Sequence, residues 1–290
     1  MRILASLLLA LSLSACGSAA PAAPPAKPAM WKLSDPDTTI YLFGTVHVLP
    51  SDLKWRTPRF EHTLASADEL VLEIADQGDK AAIAETYRKM AQSPGLPPVL
   101  DRVPAEKRAQ LEALITKKGL PLKALNAMET WAVAITLGAS MYTDMGASAD
   151  AGVETTLRSS IGGKPVSGLE TTAQQLGYFD RMPEETQRKL LVSMLDDASS
   201  AKADFQKMVR AWSSGDTGAI ARTFDDELKK APEIAKVLID ERNANWAQWL
   251  KARMDKPGTV FVAVGAGHLA GKGSVIDLLQ KQRLKVQRVQ

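Results

Sequence analysis

Ile40-Tyr41-Leu42-Phe43-Gly44-Thr45-Val46-His47 and Phe261-Val262-Ala263-Val264-Gly265-Ala266-Gly267-His268 carry one pattern at two distant places in the chain. Each is an apolar run, rich in β-branched and aromatic residues, that breaks at Gly-x-x-His. Such runs read as strands buried by neighbouring layers. Glycine at a strand end allows a sharp turn and close backbone approach. A side chain three residues on then projects over the carboxyl edge of the sheet, where open α/β sheets bind ligands. Strands near both ends, with helical periodicity between them, predict the fold class: α/β (or α+β). The expected architecture is a mixed central sheet flanked by helices, with a large helical insertion between the N-terminal and C-terminal strands.

The remaining elements extend outward from these two strands. Residues 38–43 form the first strand, residues 58–67 a short helix opened by Pro58, and residues 69–74 a second strand. Residues 79–92, 104–118 and 123–143 carry apolar side chains at helical spacing. The last of these is apolar enough from Trp131 to Leu137 to be a buried helix, and Glu129 argues against a membrane span. Residues 163–169 read as a short strand, and 183–213, 216–230 and 233–254 as helices. A central strand at 259–264, a helix at 273–281 and a strand from Lys285 to Val289 complete the pattern.

The chain has 290 residues, 45% hydrophobic and 24% charged, with a formal charge of +3. This composition excludes disordered, collagen-like and coiled-coil classes, and the balance of charge offers nothing to nucleic acid. The single cysteine is Cys16. Residues 1–15, MRILASLLLALSLSA, have the layout of a secretory signal peptide, with one early charge, a short apolar run and small residues before the cysteine. Leu13-Ser14-Ala15-Cys16 resembles a bacterial lipobox, which implies cleavage before Cys16 and a lipid on its sulfur. Residues 16–30, rich in alanine and proline, read as a tether to a domain spanning 31–290. Gly17 lacks the aspartate of an inner-membrane retention signal. The expected setting is therefore the outer membrane, with the domain facing the periplasm and the lipid anchor as its sole membrane contact.

Of the three histidines, His47 and His268 share the strand-end frame, whereas His62 reads as a surface or packing residue. Glu73 ends an apolar strand, and Glu170 precedes Thr171-Thr172, which suits a helix start. Each glutamate also suits a structural place, in water at a strand end or near a helix dipole. Arg242 lies on the helical stripe of Leu238, Ile239, Trp246 and Trp249. It either snorkels beside the tryptophans or pairs with a buried anion, a carboxylate or a reaction oxyanion.

Gly44-Thr45-Val46-His47, the Glu73 strand, Gly163-Lys164-Pro165-Val166, Leu169-Glu170-Thr171, Arg242-Asn243 and Gly265-Ala266-Gly267-His268-Leu269 together resemble the TraB/GumN family. This family is related to the animal Tiki proteins. The resemblance runs from about Trp31 to Val289 and implies a mixed α/β domain with both Gly-x-x-His motifs and the glutamates around one site. Tiki members are membrane-tethered, metal-dependent proteases, and TraB-type members are linked to shutdown of peptide pheromones. Glu154, in Gly152-Val153-Glu154, stands where the family more usually has aspartate, and it also suits an ordinary helix start.

The leading expectation is metal-assisted hydrolysis of a peptide or related amide, with a peptide or small-molecule substrate. His47 and His268 would bind Mn²⁺, Co²⁺ or Zn²⁺, with Glu73 or Glu170 completing the shell. The other glutamate would accept a proton from metal-bound water, and Arg242 would stabilise the oxyanion. Two alternatives stand beside it. One is a non-catalytic lipoprotein that binds haem or another ligand through a histidine. The other is a metal-independent, esterase-like hydrolase with His47 as general base and a glutamate partner.

Overall fold

The apolar strands assemble a six-stranded mixed sheet flanked by helices, and the computed structural model describes it through residues 25–74, 79–93, 95–143, 145 and 147–290. The first part of the chain forms β1 (Met30–Ser34), β2 (Thr38–Thr45), β3 (Leu49–Pro50), α1 (Pro58–Ser66) and β4 (Glu69–Ile74). The insertion holds α2 (Lys80–Met90), α3 (Arg108–Lys117), α4 (Leu122–Asn126), α5 (Thr130–Thr143), β5 (Ala147–Ser148) and α6 (Val153–Ser160). The chain returns to the sheet as β6 (Val166–Glu170), then leaves it for α7 (Thr172–Asp180), α8 (Glu184–Asp197), α9 (Ala201–Ser213) and α10 (Thr217–Lys230). Last come α11 (Pro232–Ala235), one π-helical turn (Lys236–Asp240), α12 (Glu241–Arg253), β7 (Gly258–Gly265), α13 (Val275–Lys281) and β8 (Val286–Arg288).

The strand order is β6-β4-β7-β2-β1-β8. The first four are mutually parallel, and β1 runs antiparallel to both β2 and β8. Strand β7 lies between β4 and β2, in register so that Thr45 faces Gly265. The carboxyl ends of four parallel strands therefore converge on one edge. Alternation along the strands separates two cores. Ile40, Leu42, Val71, Val260 and Val262 pack under Trp246 and Leu250 of α12 and Val275 of α13. Phe43, Leu70, Leu72 and Phe261 face the other way, against Phe60 of α1, Leu157 of α6 and Trp212 of α9. A separate helical core joins Leu111, Val133 and Leu137 of the insertion to Leu191 of α8.

Several boundaries depart from the sequence expectation, each for a physical reason. Strand β1 falls short of the period that marks a strand, and Asp35 accepts hydrogen bonds from the Thr38 and Asp37 amides to turn it into β2. Packing begins before Trp31, because Ala26, Ala29 and Met30 are buried and the Lys27 amide donates to the Ser213 carbonyl. The expected signal segment 1–15 and Cys16 lie outside the described residues. The 183–213 stretch is two helices, and 233–254 contains the π-helical turn. Glu170 belongs to β6 rather than following it. Lys164 of the Gly-Lys-Pro stretch donates to the Ala65 and Ala67 carbonyls, closing the end of α1. Among the described residues no helix is long and apolar enough to cross a membrane.

Phe43 sits at the centre of an aromatic group with Trp55, Phe60, Trp212 and Phe261, at centroid distances of 4.9–6.4 Å. Phe43→Ala is expected to destabilise the domain by about 3–5 kcal/mol in urea unfolding, because the surrounding rings cannot close the void.

Candidate active site

The two Gly-x-x-His turns lie side by side on the carboxyl edge. A Cβ on Gly44 would stand 3.1 Å from the Ala266 Cα, so the bare backbone of one motif receives the other. Trp212 pins the same turn by donating its indole N–H to the Gly44 carbonyl at 2.8 Å. Glycine is required again at Gly152, where a Cβ would meet the His47 carbonyl at 2.1 Å. That close approach brings the start of α6 to the first histidine.

Arg242 occupies the middle of the edge, buried beneath the open turns. It sits on α12 one helical turn from Trp246 and two from Leu250, so the stripe that packs on the sheet also delivers the guanidinium. Nε donates to Glu170 Oε1 at 2.9 Å, and Nη2 donates to Glu170 Oε2 at 3.0 Å. Nη2 also donates to Glu73 Oε2 at 2.7 Å, while Nη1 reaches the Leu238 carbonyl and His268 Nε2. These contacts engage all five N–H groups of the fork. The guanidinium lies 4.6 Å from the centre of the Trp246 ring and 5.8 Å from that of Tyr178. Burial disfavours the cation, but Glu73 and Glu170 more than compensate, and its pKa is raised.

Each carboxylate is satisfied further. Glu170 accepts the Trp246 indole N–H at 3.1 Å, and Glu73 accepts the Gly265 amide at 2.7 Å and the Gln175 side-chain amide at 2.9 Å. Burial works to raise the Glu73 pKa, yet the charges of His268, Arg242 and His47 with the Gly265 N–H carry it down to about 2. Thr171 and Gln174 form a capping box that starts α7, which carries Gln175 and Tyr178.

The two imidazoles occupy opposite environments. His268 is buried, with its ring 4.5 Å from that of Trp246. Asn243 donates to the Gly273 carbonyl, which turns its Oδ1 towards His268 Nδ1 at 2.7 Å. Nδ1 therefore carries the proton and Nε2 accepts from Arg242. Burial pushes this imidazole down to about 4, with Arg242 and His47 adding to the fall against Glu73. His47 is 63% exposed, and its Nδ1 donates to Glu154 Oε1 at 2.7 Å. Glu154 lifts it to about 9, and Glu73 acts in the same direction. Glu154 itself is buried and also accepts the Thr45 hydroxyl at 2.6 Å. Burial raises its pKa, but His47 and Thr45 outweigh that and leave it below the usual range.

The structure thus gathers His47, His268, Glu73, Glu170 and Arg242 on one edge and leaves His62 elsewhere, on α1. Sequence reasoning missed the pairing of His47 with Glu154, and the roles of Asn243, Gln175 and Tyr178. Of the partners left open for Arg242, the structure supplies buried carboxylates, Glu73 and Glu170, and with every N–H of the fork committed within the protein none is left for a reaction oxyanion. The same geometry bears on the metal expectation. In the set His47, His268, Glu73 and Glu170, the guanidinium occupies the space between both glutamates and His268 Nε2. These four side chains do not fit a single divalent ion in this arrangement, and among the described residues no group of three potential ligands comes together.

Arg242→Met is expected to cost about 3–5 kcal/mol in equilibrium unfolding, because it strands two buried carboxylates without their cation. Adding Glu170→Gln to that variant should recover part of the loss, a non-additivity that a merely local packing defect would not show.

The TraB/PrgY/gumN family model matches residues 29–288. An uncharacterized protein of Treponema pallidum (strain Nichols) is 23% identical over 270 residues, covering 88% of this chain and 80% of its own length. The uncharacterized protein YbaP of Escherichia coli (strain K12) is 24% identical over 244 residues, covering 83% of this chain and 87% of its own. YbaP of Shigella flexneri matches equally. No solved structure matches. With the family model matching 29–288 of 290 residues, the chain belongs to the TraB/PrgY/gumN family.

Proposed function

We propose that the protein is a hydrolase of a peptide or related amide bond in which His47 moves the proton. The observation that carries this reading is the His47–Glu154 pair, a buried carboxylate holding Nδ1 of a ring that is open to solvent. A carboxylate in that position fixes the tautomer and stabilises the imidazolium formed when the other nitrogen takes a proton. The contrast with the neutral, enclosed His268 supports it. Titratable pairs whose surroundings drive their pKa values apart mark a division of acid–base roles.

In the proposed reaction a water oxygen attacks the carbonyl carbon, and the water's proton passes to His47 Nε2. The tetrahedral adduct then collapses, the C–N bond breaks, and His47 returns the proton to the departing nitrogen. Glu154 raises His47 to about 9, so the basic form is the minor one at neutral pH and turnover climbs towards that value. The substrate class rests on the likeness to the Tiki proteases. The lipid-anchored, periplasm-facing setting at the outer membrane rests on Cys16 and the signal-like residues before it.

A second reading places Mn²⁺, Co²⁺ or Zn²⁺ on the open nitrogen of His47. It is favoured by the same Glu154 contact, because a ligating imidazole is held by an outer carboxylate in the same way. Haem ligation finds less support, since both nitrogens of His268 are already engaged.

Cleavage of a defined peptide library, read by mass spectrometry, tests the proposal. His47→Ala should lower turnover by about 10²–10⁴-fold, the usual worth of a positioned proton-transfer group. Glu154→Gln should move the alkaline midpoint from about 9 towards 6.5. Cleavage should survive exhaustive chelation. Unchanged turnover in His47→Ala would defeat the hydrolase reading, and loss on chelation with recovery on adding one ion selects the metal reading.

A further inference from the structure

We propose that the concavity between α1 and the β1–β2 pair is a binding site for a phosphate group, separate from the carboxyl-edge cluster. Lys32 and Tyr41 are cross-strand partners in β1 and β2, so their side chains share one face of the sheet. Arg59, His62 and Thr63 of α1 complete most of the lining around a volume of about 550 Å³. Three basic side chains thus converge on one hollow, and no carboxylate lines it. None of the three has an ion pair or hydrogen bond among the described residues. The acid nearest in sequence on the same helix, Glu61, is taken by Arg56 through two N–H groups.

The two unpaired cations, Lys32 and Arg59, repel each other until an anion enters, and together they concentrate anions from solution. The site is also polar where an oxyanion needs donors. Thr63 is 5% exposed and lines the hollow, and its hydroxyl has no hydrogen-bond partner among the described residues. The Tyr41 hydroxyl is likewise unpartnered among them. A tetrahedral phosphate presents enough oxygens to take Lys32 and Arg59 as charged donors and the two hydroxyls as neutral ones. These hydroxyls set the site apart from a surface patch that only attracts counter-ions.

The hollow lies beside the place where the chain joins the domain. Thr57, the cap of α1, donates to the Gln290 side chain at 2.6 Å, and Gln290 donates to the Pro28 carbonyl at 2.9 Å. The phosphate is accordingly either a lipid headgroup, which rests on the lipid-anchored setting proposed above, or a free phosphorylated solute. Both present the same chemistry to Lys32, Arg59 and Thr63.

The test uses the full chain carrying Cys16→Ser, so that no acyl chain contributes. Sodium phosphate is titrated against sodium chloride of matched ionic strength, with amide and side-chain NMR shifts as readout. Phosphate should saturate shifts of Arg59, His62 and Thr63 that chloride leaves in place. Lys32→Ala/Arg59→Ala should weaken binding at least about tenfold, and Thr63→Val should weaken it by a smaller factor with thermal unfolding unchanged. Flotation with phosphatidylcholine vesicles, with or without about 30% phosphatidylglycerol, then identifies the source. Binding to the anionic vesicles that phosphate displaces points to a headgroup, and phosphate binding without vesicle binding points to a solute. Equal responses to phosphate and chloride, or a double variant that binds phosphate as well as the parent, overturns the proposal.

Discussion

One buried guanidinium organises the carboxyl edge of the sheet. Arg242 joins α12 to Glu73 of β4, to Glu170 of β6 and to His268 in the turn after β7. Removing a cation and two carboxylates from water is costly, and their mutual attraction repays that cost only when every donor and acceptor finds a partner. That condition is met at close quarters. The fork engages all five of its N–H groups, and Trp246, Gln175 and the Gly265 amide serve the remaining carboxylate lone pairs. The π-helical turn just before α12 contributes the Leu238 carbonyl, one turn back from Arg242. Such turns are rare, and they recur where a helix must aim a side chain at a site.

Around this fixed charge the same local motif serves two purposes. Both histidines follow an apolar strand and a Gly-x-x turn, and both have Nδ1 held by an oxygen acceptor. The difference lies in what surrounds them. His268 is enclosed against Trp246 and Arg242, which disfavour the imidazolium, whereas His47 stands in the open beside a buried carboxylate that favours it. The edge thus pairs an enclosed imidazole, held on both nitrogens, with an open one whose Nε2 faces solvent. The framework role falls to Arg242, Glu170 and His268, and the exposed role to His47.

The parts of this arrangement that depend on local pattern were legible in the sequence. The repeated Gly-x-x-His at strand ends placed both histidines on the correct edge, and the Leu238–Trp246 stripe placed Arg242 on the sheet-facing side of its helix. Pairings made through space were not legible. Glu154 stands 107 residues from His47, and its sequence neighbourhood is that of any helix start. Glu73 and Glu170 read equally as ligands, bases or solvent-facing acids, because nothing local records that one arginine engages both. Strand β1 was also hidden, since its five residues owe their conformation to Phe43, Tyr41 and the other partners in β2 rather than to their own period. Two signals touched Glu154 without naming its partner: the resemblance, which sets an acidic residue there, and Gly152, whose missing side chain admits the His47 carbonyl.

The surroundings of Arg242 imply opposite charge states for the two imidazoles at the edge. A pH titration of the imidazole ¹⁵N and ¹H resonances of His47 and His268 in the intact protein tests this implication most directly. His47 is expected to stay protonated until about pH 9, and His268 to stay neutral, with the proton on Nδ1, down to about pH 4. Two histidines that titrate together near 6.5 would contradict it.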